Sequence, residues 1–259
     1  MGKKTVIITG GNRGIGYDIS RIFAEDGYEV FVGARTDYDL RKSLGDNVHF
    51  IETDVCNEED HKQLVKVAIE KTGRLDVYIN NAGFSQWRSI ENIDSEFLDK
   101  ILDTNLKGVF WGCKSALAVM KSGASIVNIS SIAGKRGSSN NSAYCASKFG
   151  VNAITQSLAK EVGKKNIRVN AICPVIVSTK GLIEALEEEE SPAKGNVDEF
   201  INNFRNTQAA LPELPKGYEI ANSCLFLASD LASAITGQCI NVDCGVFPQW
   251  SLLQLFLRT

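Results

Sequence analysis

Short runs of apolar, largely β-branched residues recur along the chain: Thr5 to Thr9, Glu29 to Gly33, Val48 to Glu52, Val77 to Asn80, Ser125 to Ser130, Arg168 to Cys173 and Cys239 to Val242. Each is continuously apolar rather than alternating, which suits strands covered on both faces. The stretches between them carry helical periodicity, clearest from Glu58 to Glu70, where Leu64, Val65, Ala68 and Ile69 fall on one side. Strand and helix in alternation predict parallel strands joined by crossover helices, an α/β doubly wound sheet.

From Lys180 to Leu214 that rhythm breaks: the acidic run Glu187 to Glu190, Ser191-Pro192, Gly195 and the prolines beyond it interrupt the pattern. The composition predicts an inserted, mobile segment beside the sheet, a substrate lid over 180–214. Its acidic run reads as a solvated face.

Composition adds mainly exclusions. With 259 residues, 44% hydrophobic, 23% charged and a net charge of -3, the chain fits one globular domain over 1–259 and offers no broad basic field for nucleic acid. Seven cysteines, an odd number without a C-x-x-C pair, argue against a disulfide framework or a zinc site, so no metal is expected and the cytoplasm is the expected location. The run Val6 to Ile8 is too short for a signal-peptide core, and the apolar tail Trp250 to Leu257 is too short to span a bilayer. No membrane partner is therefore expected, and the tail is expected to cover a subunit contact or the substrate mouth. Only His49 and His61 are present, neither near Ser130-Ser131 in the motif order, which speaks against a Ser-His-Asp hydrolase or a His-ligated metal.

The first run leads through Thr9-Gly10-Gly11-Asn12-Arg13-Gly14-Ile15-Gly16 into a helical stretch carrying Ile19, Ile22 and Phe23. Glycines between a strand and a helix permit a tight turn and let backbone N–H groups approach a pyrophosphate. The spacing G-x-x-x-G-x-G differs from the usual dinucleotide fingerprint, but its position favours a cofactor turn. The second run ends Val32-Gly33-Ala34-Arg35-Thr36, with no carboxylate at Ala34 to accept a ribose hydroxyl. Arg35 and Arg13 suit a 2′-phosphate, so NADP(H) is expected over NAD(H). The alternative is a surface Arg35 with Asp37 supplying the acid.

Two later features belong together: Ser130-Ser131 at the end of the fifth run, and Tyr144-Cys145-Ala146-Ser147-Lys148 opening a helix. Tyr and Lys four apart share a helix face. A phenol working near pH 7 needs a shift of about three pKa units, roughly 4 kcal/mol. An ammonium about 5 Å away at an effective dielectric near 20 offers on the order of 3 kcal/mol.

In these segments the chain resembles the classical short-chain dehydrogenase/reductase family from Thr5 to Gly245. The matching pieces are the glycine turn, Asp54-Val55, Asn80-Asn81-Ala82-Gly83, Asn105 within Thr104 to Gly108, Ser131 before Ile132-Ala133-Gly134, and Tyr144 with Lys148. The resemblance implies a single-domain Rossmann fold with a seven-stranded parallel sheet in the order 3-2-1-4-5-6-7 and helices on both faces. It implies an oxidoreductase moving hydride between NADP(H) and a secondary alcohol or ketone. Tyr144 would be the general acid/base, Ser131 would hold the substrate oxygen, Lys148 would bind the nicotinamide ribose and lower the tyrosine pKa, and Asn105 would hold a relay water. Cofactor contacts would come from Gly10, Asn12, Arg13, Gly14, Ile15, Gly16, Arg35, Asp54, Val55, Asn81, Ala82, Gly83, Tyr144, Lys148, Pro174, Val177 and Thr179. The family also implies a homo-oligomer, dimer or tetramer. A non-catalytic NADP(H)-binding sensor or scaffold of the same fold is the alternative, against which the complete proton-transfer set argues.

Two positions depart from the family pattern. Val175 replaces the glycine of a Pro-Gly pair and is expected to reshape the pocket wall, and Cys244 replaces a glycine and is expected to pack as a small buried group. Substrate choice is expected to lie with Phe84 to Trp87, Lys135 to Asn141 and the 180–214 segment.

Overall fold

The computed structural model describes residues 2–248, so the tail from Trp250 to Leu257 lies outside the described residues. The chain runs β1 (Thr5–Thr9), α1 (Gly14–Glu25), β2 (Glu29–Ala34), α2 (Leu40–Leu44), β3 (Val48–Glu52), α3 (Glu58–Thr72), β4 (Val77–Asn80), α4 (Ser95–Leu102) and α5 (Gly108–Leu117). It continues with β5 (Ser125–Ile129), α6 (Ser142–Val162), β6 (Arg168–Pro174), α7 (Lys180–Leu186), α8 (Val197–Gln208), α9 (Gly217–Ala228) and β7 (Cys239–Val242). All seven strands pair in parallel in the order β3-β2-β1-β4-β5-β6-β7, as the resemblance implies.

Alternation along the buried strands assigns each residue to one of two helical layers. Val6, Ile8, Val30, Val32, Ile79 and Val127 pack with Ile19 and Phe23 of α1 and Ile220 and Leu227 of α9. Ile7, Phe31, Tyr78, Ile126 and Val169 face the opposite way, onto α3, α5 and α6. A continuous apolar run is thus two interleaved faces, each side chain covered by a helix. The α3 expectation holds and extends to Thr72, where Gly73 closes the helix at φ 73° while Asn57 caps its start by accepting from Glu59 N.

The order in which strands are added reverses between β1 and β4, so a crevice opens beyond the carboxyl ends of these two strands, the place where such sheets bind ligands. The 180–214 segment is not a featureless insertion: it carries α7 and α8. Among the described residues no helix is long and apolar enough to cross a membrane, and all seven cysteines are free.

The two glycine replacements are accommodated differently. Val175 stays out of the left-handed region and buries its side chain among Ile132, Val246 and Phe204. Cys244 corrects its expectation. It is half-exposed, sits at φ 54° where a glycine would be unstrained, and its carbonyl accepts from Ala210 N at 2.9 Å.

Candidate active site

A cleft of about 1010 Å³ lies at the crevice between β1 and β4. Every residue expected to contact a cofactor lines it, from Gly10, Asn12, Arg13, Gly14, Ile15 and Gly16 through Arg35, Asp54, Val55, Asn81, Ala82 and Gly83 to Tyr144, Lys148, Pro174, Val177 and Thr179. Ser131 lines it as well, and Asn105 lies just behind.

The glycine turn is shaped by contact with the exit of β4. A Cβ on Gly16 would sit 2.1 Å from Gly10 O and 2.5 Å from Asn81 Nδ2, and one on Gly10, at φ 64°, would sit 2.9 Å from Ala82 Cα. Asn81 Nδ2 donates to Thr9 O at 3.1 Å and to Gly10 O at 3.0 Å, and Thr9 Oγ1 accepts from Asn81 N and Ala82 N. The Asn81 amide nitrogen is thus a strut between β1 and β4. Asn12 Nδ2 likewise ties the turn to the end of β2 by donating to Thr36 O at 2.8 Å.

At the far end of the turn Arg13 and Arg35 are exposed. The Asp37 carboxylate is committed elsewhere, accepting from Leu40 N at 3.1 Å at the start of α2. Two cations therefore face the end of the cleft, and the nearby carboxylate serves as a turn cap. Tyr38, 57% exposed and lining the same rim, was not singled out from the sequence, because an isolated surface aromatic carries no periodic signal.

At the opposite end α6 presents Tyr144 and Lys148. The loop carrying Ser131 is fastened to that helix: Ser130 Oγ donates to Lys148 O at 3.2 Å, Asn152 Nδ2 donates to Gly134 O at 2.9 Å, and a Cβ on Gly134 would sit 2.6 Å from Lys148 O. Ser131 Oγ accepts from Ala133 N at 3.1 Å, which turns the chain at the mouth of the cleft. Lys148, 4% exposed, donates from Nζ to Ile129 O at 2.9 Å and lies 5.7 Å from the centre of the Tyr144 ring.

Burial dominates the electrostatics of the pair in the polypeptide alone. Burial pushes the Tyr144 phenol up to about 12, with the Ser131 hydroxyl pulling it back. Burial also drags the Lys148 ammonium down to about 8. In the polypeptide alone the cost of desolvating a charge outweighs the attraction between the two groups, because Nζ is drawn to the Ile129 carbonyl and is itself poorly solvated.

Asn105 sits in a π-helical turn, Asp103–Lys107, joining α4 to α5, a distortion that recurs at functional sites. Its Oδ1 accepts from Phe84 N at 3.0 Å, and its Nδ2 donates to Phe84 O at 2.8 Å and Ser147 Oγ at 3.4 Å. The side chain expected to hold a water is occupied in bracing β4's exit against α6.

The acidic run of the 180–214 segment also differs from the solvated face expected of it. Glu188, on the cleft wall, accepts from Gln86 Nε2 at 3.0 Å. Glu190 accepts from Ser89 N and from Asn92 Nδ2, and its carbonyl accepts from Asn140 Nδ2 at 3.2 Å. These bonds hold the Ala185 to Ser191 stretch against the two loops beside Tyr144, and the Ser89 and Asn92 donors hold the Glu190 carboxyl below the usual range. A run of like charge gives no hint in sequence that its members find donors a hundred positions away. The histidines are structural, as expected: His49 pairs with Glu29, and His61 is buried against Tyr78 and Val55.

Comparison with known proteins gives a consistent picture. A family model described as enoyl-(acyl carrier protein) reductase matches residues 10–247. The 3-oxoacyl-(acyl-carrier-protein) reductase FabG of Chlamydia muridarum is 36% identical over 256 residues, covering 94% of this chain and 97% of the relative. An uncharacterized oxidoreductase of Thermotoga maritima is 36% identical over 250 residues, covering 93% and 96%. Among solved structures, aldohexose dehydrogenase of Thermoplasma acidophilum superposes with a TM-score of 0.85 at 31% identity, covering 96% of this chain and 97% of that one. An actinorhodin polyketide ketoreductase variant with NADPH gives 0.85 at 29% identity, covering 94% and 97%.

Proposed function

The chain belongs to the short-chain dehydrogenase/reductase family of oxidoreductases, and on that premise we propose that it interconverts a ketone and a secondary alcohol with NADP(H), using Tyr144 as proton donor and acceptor. One observation carries the reading: Tyr144, Ser131 and Lys148 open on the same cleft as the glycine turn and the cations Arg13 and Arg35. The turn suits a pyrophosphate because Gly10 and Gly16 let it pack closely against β4's exit and lead into the start of α1, whose N–H groups would meet the phosphates. Bound NADPH would supply the hydride; the protein supplies the rest. Ser131 and Tyr144 hold the carbonyl oxygen by hydrogen bonds, Tyr144 delivers the proton, and Lys148 holds the cofactor ribose and favours the phenolate. Asn105 keeps β4's exit in place beside them, and the 180–214 segment is the lid of a single-domain enzyme, clasped by Glu188 and Glu190.

NADPH consumption with a panel of keto-sugars, cyclic ketones and 3-oxoacyl thioesters tests the reading, with an enoyl thioester as control. Turnover of at least one ketone is expected. Cofactor binding without turnover of any panel member would favour the binding-only alternative, and turnover of the enoyl compound alone would replace C=O by C=C chemistry.

The phosphate preference follows from the exposed cations. Arg35→Ala is expected to weaken NADPH binding roughly tenfold, the loss of about 1.4 kcal/mol from one charge-assisted contact. NADH binding is expected to stay unchanged, and an equal loss for both cofactors would contradict the 2′-phosphate role.

A second copy of the chain is the proposed partner. Phe110 of α5 and Phe149 of α6 are 48% and 47% exposed, apolar surface that a subunit contact would cover. Sedimentation is expected to show a dimer or tetramer that Phe110→Glu with Phe149→Glu dissociates; a wild-type monomer at working concentration would refute it. The free cysteines accord with a cytoplasmic location, which localisation of a tagged chain would check.

A further inference from the structure

Resting on the dinucleotide reading of the cleft, we infer that His61 is a positioning residue for the cofactor's adenine-side wall, holding the Val55 carbonyl in place through a buried His61–Tyr78 pair. His61 lies on the inner face of α3 with Leu64, Val65 and Ala68, where the helical period asks for an apolar side chain. It is fully buried, yet both ring nitrogens are engaged: Nε2 is 3.0 Å from Val55 O and Nδ1 is 2.8 Å from the Tyr78 hydroxyl. A carbonyl can only accept, so Nε2 carries the proton and Nδ1 accepts from the Tyr78 O–H. Tyr78 is itself fully buried in β4, and its phenol is pushed far above the usual range by burial, so it remains a neutral donor.

The opposite wall is built to the same fit. On α5, a Cβ at Gly108 would sit 3.0 Å from Val55 O, and one at Gly112 would sit 2.9 Å from Tyr78 Cε1. Two glycines one helical turn apart let the α5 backbone down onto both partners, so the Val55 carbonyl is enclosed between α5 and the imidazole.

That carbonyl belongs to the loop after β3, whose Thr53, Asp54, Val55 and Cys56 line the cleft. From the solvent side the loop is tied by Asp54 N donating to Asp60 Oδ2 at 2.8 Å and Asn57 N donating to Asp54 O at 2.9 Å. His61 supplies the inner tie. An apolar residue there would leave an enclosed carbonyl without a donor, and the loop would move toward water to find one, displacing the stretch of cleft wall that Thr53 to Cys56 would offer a bound cofactor.

Calorimetric NADPH binding and the thermal midpoint, measured on wild type, His61→Leu, His61→Gln and Tyr78→Phe, test this. His61→Leu is expected to weaken NADPH roughly tenfold, about 1.4 kcal/mol. His61→Gln, whose carboxamide donates to Val55 and accepts from Tyr78, is expected to restore most of that affinity. A His61→Leu protein with a lowered midpoint but wild-type NADPH affinity would overturn the inference, leaving His61 a packing residue. Should His61→Leu not fold, wild-type affinity in His61→Gln with weaker binding in Tyr78→Phe supports the tie, and wild-type affinity in both overturns it. A wild-type protein that binds no NADPH would instead remove the cleft reading on which the inference rests.

Discussion

Tyr144→Phe is expected to lower kcat by about 10²–10⁴-fold, the span that a positioned proton donor contributes, with NADPH affinity and thermal midpoint close to wild type. Phenylalanine keeps the ring that packs 5.7 Å from Lys148 Nζ and removes only the hydroxyl. Lys148 and both histidines are committed elsewhere. Lys148 is bonded to Ile129 O, His49 is paired with Glu29, and His61 is enclosed with Tyr78 and Val55. Stopped-flow hydride transfer under single-turnover conditions separates this loss from any change in product release. A variant with wild-type single-turnover rates would mean that the proton comes from solvent.

Lys148→Met should show the reverse balance, a more stable protein without turnover. The ammonium is 4% exposed, has one protein acceptor, and titrates near 8 instead of 10.5 because burial disfavours its charge. That shift corresponds to about 3 kcal/mol, of which about 1 kcal/mol is returned when the Ile129 carbonyl loses its donor. Methionine is therefore expected to add about 2 kcal/mol and to raise Tm by roughly 4–8 °C for a chain of this size. The pH dependence has a definite sign. The folded state resists taking a proton that the unfolded state accepts below 10.5, so the penalty is complete below pH 8 and fades as pH rises from 8 to 10.5. The gain from methionine should fade over the same interval. Equal stabilities at pH 7 would mean that the ammonium is better solvated than its burial indicates.

The α/β class was legible because apolar runs alternate with helical stretches, the strand order came with the family resemblance, and the glycine turn was legible because its glycines fall between a strand and a helix. Tyr144 and Lys148 were legible as a pair through their helical spacing, and their roles through the family resemblance. What escaped were interactions set by distant partners. Glu190 reads as part of a solvated acidic run until Ser89, Asn92 and Asn140 are brought to it. Asn81 reads as a cleft residue, and only the fold shows its amide nitrogen also tying Thr9 and Gly10. Cys244 reads as a packed small residue until the turn that demands φ 54° is seen. Local period and spacing are properties of a segment, whereas a hydrogen-bond partner across the sheet and the depth of burial that governs a pKa belong to the assembled molecule.

The direction of the Tyr144 shift bears most directly on the proposed chemistry. Tyrosinate absorbance can be titrated as the difference between wild type and Tyr144→Phe, with and without saturating NADP+. The protein alone is predicted to show this phenol ionising near pH 12, and the oxidised cofactor is predicted to bring it down by several units, toward the range in which a proton donor works. A phenol that still ionises near 12 with NADP+ bound would contradict the account.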